Sequence, residues 1–285
     1  MTTKPQTQTQ GGFAHPSYLA AIATVLLGGA TLAPSLFAQD LPKASAVMSA
    51  VDQRDEGITQ RSNITFELTD RRGKSRVQET LALRKYYGKD KRQVLFYLEP
   101  SNVRDTAFLT YDYAEASRDD DQWLYLPALR KSRRISASDR GDYFLGTDLT
   151  YEDLKRQNKV SLDDWNFQTV GHEQVQGTET VVIEGQPVSE AIAEELGYSQ
   201  GRWYVNTSNN TIVKSENWDI QGNHSKTANF SDIRQVDGIW TVHDITVENH
   251  KTGHKTHLIT DNVAYGVEVR DGTFEERTLR RGVRD

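Results

Sequence analysis

Apolar residues along this chain first repeat with the period of a helix and then with that of a strand. Ala44, Val47, Met48 and Val51 fall at i, i+3, i+4 and i+7, one stripe of an amphipathic helix. Pro42 suits its first turn, and Gly57 is its expected stop. Beyond Gly57, Ile64, Phe66 and Leu68 alternate with Thr65, Glu67 and Thr69, and Val77, Leu81 and Leu83 continue the alternation. Arg71-Arg72-Gly73-Lys74 between them reads as a hairpin turn. Further strands are expected at 93–98, 106–113, 122–126, 165–170, 180–184, 202–205, 212–219, 226–233, 239–248 and 257–261. Asp237-Gly238 is the strongest hairpin signal, because both central positions of a type I′ turn need positive φ. Trp240 and Val242 are even-numbered whereas Ile245 and Val247 are odd, which predicts a bulge near His243-Asp244. Ser189 to Gly197 has a capping serine, an Ile192/Leu196 face and a terminal glycine, so a short helix is expected there.

About eleven or twelve antiparallel strands with few helices exceed the needs of a small barrel. They predict a mainly β fold: a single, strongly curved antiparallel sheet, an open half-barrel whose apolar inner face is covered by a few helices. The first helix and the segment 142–156 are the available covers. Strand parity places Phe66, Leu68, Leu81, Leu83, Phe96, Leu98 and Leu109 inward. In 122–126 both parities are apolar; the aromatic pair Trp123 and Tyr125 is assigned inward ahead of Leu124 and Leu126. No linker or repeat divides residues 39–285, which read as one domain.

The first 38 residues are read separately. A polar start with Lys4 precedes an apolar stretch from Tyr18 to Ala30, and Pro34-Ser35-Leu36-Phe37-Ala38 leads into Gln39-Asp40. This is the order of a secretory signal peptide cut after Ala38. Its apolar core of about a dozen residues falls short of the roughly 20 that span a bilayer. The chain has no cysteine, which excludes disulfides, thiolate metal sites and a lipidated cysteine. An exported chain without cysteines suits the bacterial periplasm. The formal charge of −6 supplies no basic excess for nucleic acid. With 36% hydrophobic residues the chain is polar for its length, as a sheet with one wet face would be.

The chain carries no phosphate loop, dinucleotide fingerprint, serine elbow or zinc-protease helix, so no enzyme class, cofactor or metal is assigned. His250, His254 and His257, with Asp261 nearby, read as hairpin histidines rather than ligands. His243-Asp244 has no serine partner at a diagnostic spacing. Two stretches carry more. Arg130, Lys131, Arg133 and Arg134 concentrate positive charge on an acidic protein, either as a solvated hairpin or as a docking patch for anionic lipid or an acidic partner. Between Gly141 and Leu154, glycines bracket Phe144 and Leu145, and Leu149, Tyr151 and Leu154 follow. This segment reads either as a crossover plugging the core or as a lid hinged at Gly141 and Gly146.

The stretch Asp121-Gln122-Trp123-Leu124-Tyr125-Leu126-Pro127-Ala128-Leu129-Arg130-Lys131-Ser132-Arg133-Arg134-Ile135 resembles the LolA-like outer-membrane lipoprotein-sorting proteins. So does the block Phe144-Leu145-Gly146-Thr147-Asp148-Leu149-Thr150-Tyr151-Glu152-Asp153-Leu154, typical of a longer branch often associated with RND-type lipid exporters. The resemblance implies an open antiparallel half-barrel whose cavity takes acyl chains. It implies a carrier working between an inner-membrane exporter and an outer-membrane acceptor, with transient membrane contact. The residues expected against lipid are Phe66, Leu68, Leu81, Leu83, Phe96, Leu98, Leu109, Trp123 and Tyr125. The alternative is a non-transporting sensor of lipidated proteins, similar to RseB. An acyl chain exposed to water costs about 0.8 kcal/mol per CH₂, so a carrier needs an apolar cavity and a cover but no catalytic group.

Overall fold

A computed structural model describes residues 41–115 and 117–282; the expected signal peptide, 1–38, lies outside the described residues. Helix α1 (Ala44–Asp52) buries Ala44, Val47, Met48 and Val51, the four residues of the expected stripe. Thirteen strands follow: β1 (Thr59–Thr69), β2 (Ser75–Tyr87), β3 (Asp90–Glu99), β4 (Ala107–Asp112), β5 (Asp121–Leu126), β6 (Lys131–Arg134), β7 (Trp165–Val175), β8 (Thr178–Pro187), β9 (Gln200–Asn206), β10 (Thr211–Trp218), β11 (His224–Val236), β12 (Ile239–Asn249) and β13 (Lys255–Tyr265). Helices α2 (Tyr151–Arg156), α3 (Glu190–Leu196) and α4 (Glu276–Leu279) complete the elements used below. All thirteen strands lie in one curved, open antiparallel sheet, as expected. Strand β6 is additional to the expectation, because four polar residues carry no alternation to read.

The strand order is β6-β5-β4-β3-β2-β1-β13-β12-β11-β10-β9-β8-β7. Two meanders are joined at a seam where the first strand pairs with the last. Consecutive strands β6 and β7 therefore occupy opposite edges. The connection between them, residues 135–164, has to travel from one edge to the other. It does so over the inner face, where Ile135 and Phe144 join Phe66, Leu68, Leu95, Phe108, Leu124 and Leu258 in one buried cluster. The cover is thus a consequence of topology.

Both faces of β3 and β4 are buried: Val94, Leu95, Phe96 and Tyr97 run without a polar break, as do Ala107, Phe108 and Leu109. Cross-strand pairing separates the faces. Ser62, Ala82, Leu95, Phe108 and Leu124 are successive partners across β1 to β5 on the inner face. Leu83, Val94, Leu109 and Trp123 form one outer row, and Leu81, Phe96, Ala107 and Tyr125 another. The inward assignment therefore holds for Phe66 and Leu68 and is corrected for Leu81, Leu83, Phe96, Leu109, Trp123 and Tyr125. Leu98, half-buried, shares the parity of Phe96. The outer rows pack against Val269, Phe274 and Leu279 of the C-terminal segment, which shields a second apolar face. With both faces apolar, parity has no polar partner to orient it.

The expected bulge at His243-Asp244 takes a different form. Register between β11 and β12 is continuous on both sides of His243. Val242 and Ile245 nevertheless both border the inner cavity. The opposing strand accommodates the change of parity at Asp232, whose φ is 45°, so both strands bend together and no residue is left over. A bulge does occur one strand away, where β13 carries an extra residue opposite Arg61 to Asn63 and Asn262 has φ 53°. Such breaks increase local twist and help the sheet curl. Asp237 and Gly238, at φ 52° and 83°, make the expected tight hairpin.

Candidate functional site

The inner face changes chemistry along the strands. The apolar row from Ser62 to Leu124 is followed by a polar one, Gln60, Arg84, Gln93, Thr110 and Gln122, again successive cross-strand partners. Next comes a charged row in which Tyr86 pairs with Lys91 and Lys91 with Asp112. Phe66 and Gln60 are six residues apart on β1, about 20 Å at the strand rise. Between the apolar and charged ends lies a cavity of about 200 Å³. Phe66, Phe108, Leu149, Leu154 and Leu258 border its apolar part, and Arg54, Glu56, Arg84, Lys159, Trp240 and Tyr265 its polar part. Exposed Gln157 is on the same wall, so the cavity reaches the surface beside the turn after α2.

The cover is fastened along its whole length. The Phe144 ring is fully buried and packs among Tyr97, Phe108 and Tyr151. Its carbonyl accepts from the backbone N–H and hydroxyl of Thr147, and its N–H donates to Leu149. Asp148 is held by Thr256, whose hydroxyl donates at 2.7 Å, and by His254 at 2.6 Å. Thr150 and Asp153 form a reciprocal capping box at the start of α2. Asp153 then accepts from Tyr198 at 2.9 Å and from buried Lys226. At the other end of α2, the Gln93 amide donates to the carbonyls of Lys155 at 2.7 Å and Leu154 at 3.2 Å, partners the helix terminus would otherwise lack.

A buried ionic network ties α2 to the sheet. Lys155 pairs with Asp120 and Glu152, while Arg156 meets Asp112 at 3.1 Å and Glu152 at 3.2 Å. Burial pushes the Asp112 carboxyl up, but Lys91, Arg156 and Lys155 outweigh it and hold the group at about 2. Glu152 is likewise held below the usual carboxylate range against its burial, chiefly by Lys155 and Arg156. Nearer the cavity, Glu56 accepts from Tyr86 at 2.6 Å and faces Arg84, Lys159 and Arg54 at 3.5, 3.6 and 3.7 Å.

Of the nine residues expected against lipid, Phe66 and Leu83 border the cavity, and Leu83 packs with the outer cluster. Of the five expected in a lid, Leu149 and Leu154 border it, whereas Leu145 and Tyr151 pack beside Phe144. Gly146 has φ 78° in a tight turn, but Gly141 serves close approach: a β-carbon there would lie 2.9 Å from the backbone of Gly197. The basic run is exposed on edge strand β6 and the turn before it; Arg133 pairs with Asp139 and Arg134 with Asp121. The hairpin histidines go to separate partners, His250 to Thr227, His254 to Asp148 and His257 to Asp244. Among the described residues no cluster of His, Cys, Asp and Glu is placed to hold a metal. Sequence reading missed the polar and charged rows. Their signal was the polar residues at inward parity: Gln60, Arg84, Gln93, Thr110 and Gln122.

Comparison with solved structures returns the same architecture. A domain from Vibrio parahaemolyticus described as an outer membrane lipoprotein-sorting protein aligns with TM-score 0.76 and 25% identity, over 84% of this chain and 98% of its own. A DUF1329 family protein from Desulfovibrio piger aligns with TM-score 0.77 and 28% identity, over 83% of this chain and 97% of its own. A LolA superfamily protein from Nitrosomonas europaea shares the fold at TM-score 0.64 and 18% identity, over 83% and 99% of the two chains. No curated protein matches the sequence. A protein-family model described as an uncharacterized protein matches residues 89–281. The chain belongs to that family and shares its fold with the outer-membrane lipoprotein-sorting and LolA superfamily proteins.

Proposed function

We propose that this protein is a periplasmic carrier that takes acyl chains of lipids or lipoproteins into its cavity and moves them between the inner and outer membranes. One observation carries the reading: an apolar inner face, covered by a crossover, encloses a cavity that reaches the surface beside Gln157. The lipoprotein-sorting description of the Vibrio relative points the same way. At about 200 Å³ the cavity is below the roughly 300–1,000 Å³ of occupied ligand pockets, so cargo enters by displacing wall side chains. Leu149 and Leu154 of the cover, Phe66 of β1 and Leu258 of β13 are the apolar contacts for the chain. Phe144 acts as the anchor that keeps the cover seated.

Donor and acceptor are an inner-membrane exporter, RND-type in this reading, and an outer-membrane acceptor. The exposed run Arg130, Lys131, Arg133 and Arg134 docks the protein to anionic lipid or to an acidic surface of such a partner. Native mass spectrometry of the protein purified from a bacterial periplasm tests the carrier function. Retained masses of lipid or acylated peptide are the expected result. A bare protein that also takes up no fluorescent fatty acid overturns it.

A further inference from the structure

At the polar end of the cavity three cations share one carboxylate, while the other acids on the wall, Glu152, Asp153 and Asp164, pair with Lys155, Arg156 and Lys226. Arg54, Arg84 and Lys159 surround one carboxylate, Glu56, and the four side chains are 6, 6, 10 and 8% exposed respectively. Their contacts to Glu56 run from 3.5 to 3.7 Å, longer than charge-assisted hydrogen bonds, which close to about 2.7–2.9 Å. The remaining partners are mostly carbonyls: Arg54 donates to Asn210 and to the Asn158 amide oxygen, Arg84 to the Glu56 carbonyl, and Lys159 to Asp52 and Arg54. The Nε–H groups of Arg54 and Arg84 are buried with no partner among the described residues. A buried donor left unmade is costly, and buried cations normally come with their full set of acceptors. All four residues border the cavity.

The apolar end is equally definite. Phe66 faces Leu258 across the β1–β13 seam, with Phe108 on the same wall. Six residues further back along β1, Gln60 faces Arg84 on one side and Tyr265 on the other. The wall is therefore amphipathic along one axis, cationic at one end and apolar at the other.

We infer that the cavity is built for an amphiphile with an anionic oxygen headgroup, a carboxylate or a phosphate, held by Arg54, Arg84 and Lys159 with its acyl chain running toward Phe66 and Phe108. This rests on the carrier reading and narrows its cargo to free anionic lipid, since an acylated lipoprotein cysteine carries no such headgroup. The headgroup supplies the acceptors that the two Nε–H groups lack and brings the local charge closer to balance. Tyr86 and Tyr265 lie beside the cluster and keep it partly polar when the cavity is empty.

Four probes with the same sixteen-carbon tail test this on the wild-type mature protein: palmitate, hexadecyl phosphate, hexadecanol and hexadecyltrimethylammonium. Binding is read from tryptophan fluorescence, since Trp165, Trp203 and Trp240 border the cavity. The expected result is that at least one anionic probe binds roughly tenfold or more tightly than the alcohol, with the cation weakest. Which anion binds better separates a carboxylate cargo from a phosphate one. Arg84→Gln should reduce that preference with little change in alcohol binding, and Glu56→Gln, which removes the competing anion, should increase it. Lys159→Gln, at the rim of the cluster, repeats the Arg84 test where that variant fails to fold. Equal binding of alcohol and anions, or tighter binding of the cation, overturns the headgroup assignment and leaves the carrier reading standing. No binding of any of the four overturns both.

Discussion

The rings of Phe144 and Phe108 lie 4.9 Å apart, centroid to centroid, and seal the inner face where the crossover lies over β4. They are 0 and 3% exposed. A ring so enclosed packs as core, and a cover anchored by it opens only by giving up that packing. Phe144→Ala should cost about 3–5 kcal/mol of stability, read by chemical denaturation. Phe144→Ser with Leu145→Ser should cost more still, lowering the thermal midpoint before any specific loss of lipid retention. Leu154→Ser, half-buried at the cavity wall, should do the reverse: a smaller loss of stability and a clear loss of retained fluorescent fatty acid. Equal thermal midpoints for Phe144→Ala and the wild type would remove the anchor role.

Gly141 fastens the same segment from its other side. A β-carbon there would meet the Cα and N of Gly197 and the carbonyl oxygen of Glu194, all at 2.9 Å and all backbone. Backbone cannot swing aside as a side chain can. Gly141→Ala should therefore destabilise by about 1–3 kcal/mol, the usual cost of overpacking. Gly73→Ala, in an open turn with nothing near its β-carbon, is the control for backbone strain alone, since its φ is 82°. Gly141 has no positive φ to strain, so if Gly141→Ala cost nothing the contact with α3 would have no energetic role.

Acid should loosen the cover. Asp112 titrates near 2 in the folded protein, below its ordinary value of 3.8, because Lys91, Arg156 and Lys155 outweigh its burial. A depressed carboxylate contributes stability above its unfolded value and loses it as pH falls through the folded one. The contribution is about 2 kcal/mol, present at neutral pH and lost between about pH 4 and pH 2. Glu56 and Glu152 are displaced in the same direction and add to the slope. Stability measured by denaturation should be flat near neutrality and fall steeply below about pH 4. Asp112→Asn should flatten that fall while costing about 3–5 kcal/mol at pH 7, because it leaves Lys91 and Arg156 short of a partner. An unchanged acid slope would show that the pairs contribute no differential stability.

Helix α1, the sheet and most strand positions were legible because their apolar residues alternate against polar ones. Phe66 and Leu68 point inward as their neighbours Glu67 and Thr69 require. The reading failed where the contrast vanishes. In β3 the run Val94 to Tyr97 is buried on both faces, and only the distant Phe274 and Leu279 decide which face the C-terminal segment covers. Trp123 and Leu124 present the same ambiguity, and the larger side chain proved to be on the outer face. The polar half of the cavity was hidden for the opposite reason: Gln60, Arg84 and Gln93 look like solvent-facing residues until the register aligns them across three strands. A crossover from edge to edge is likewise a property of strand order, which periodicity does not encode.

The basic run has two physical roles that a single experiment can separate. Strand β6 is an edge of the open sheet, and lysine and arginine on an edge discourage pairing with another chain. The same charges can dock to an anionic membrane. Arg133 and Arg134 are engaged with Asp139 and Asp121, while Arg130 and Lys131 make no ion pair among the described residues. Membrane attraction should therefore come mainly from the second pair. Arg130→Ser with Lys131→Ser should weaken binding to vesicles containing anionic lipid by roughly 1 kcal/mol per residue and flatten its salt dependence. Arg133→Ser with Arg134→Ser should weaken it less. Edge protection makes a different demand, since any charge serves. Replacing all four with glutamate should abolish vesicle binding yet keep the protein monomeric by light scattering, whereas four serines should favour self-association. Undiminished vesicle binding by the glutamate variant would leave β6 with edge protection alone.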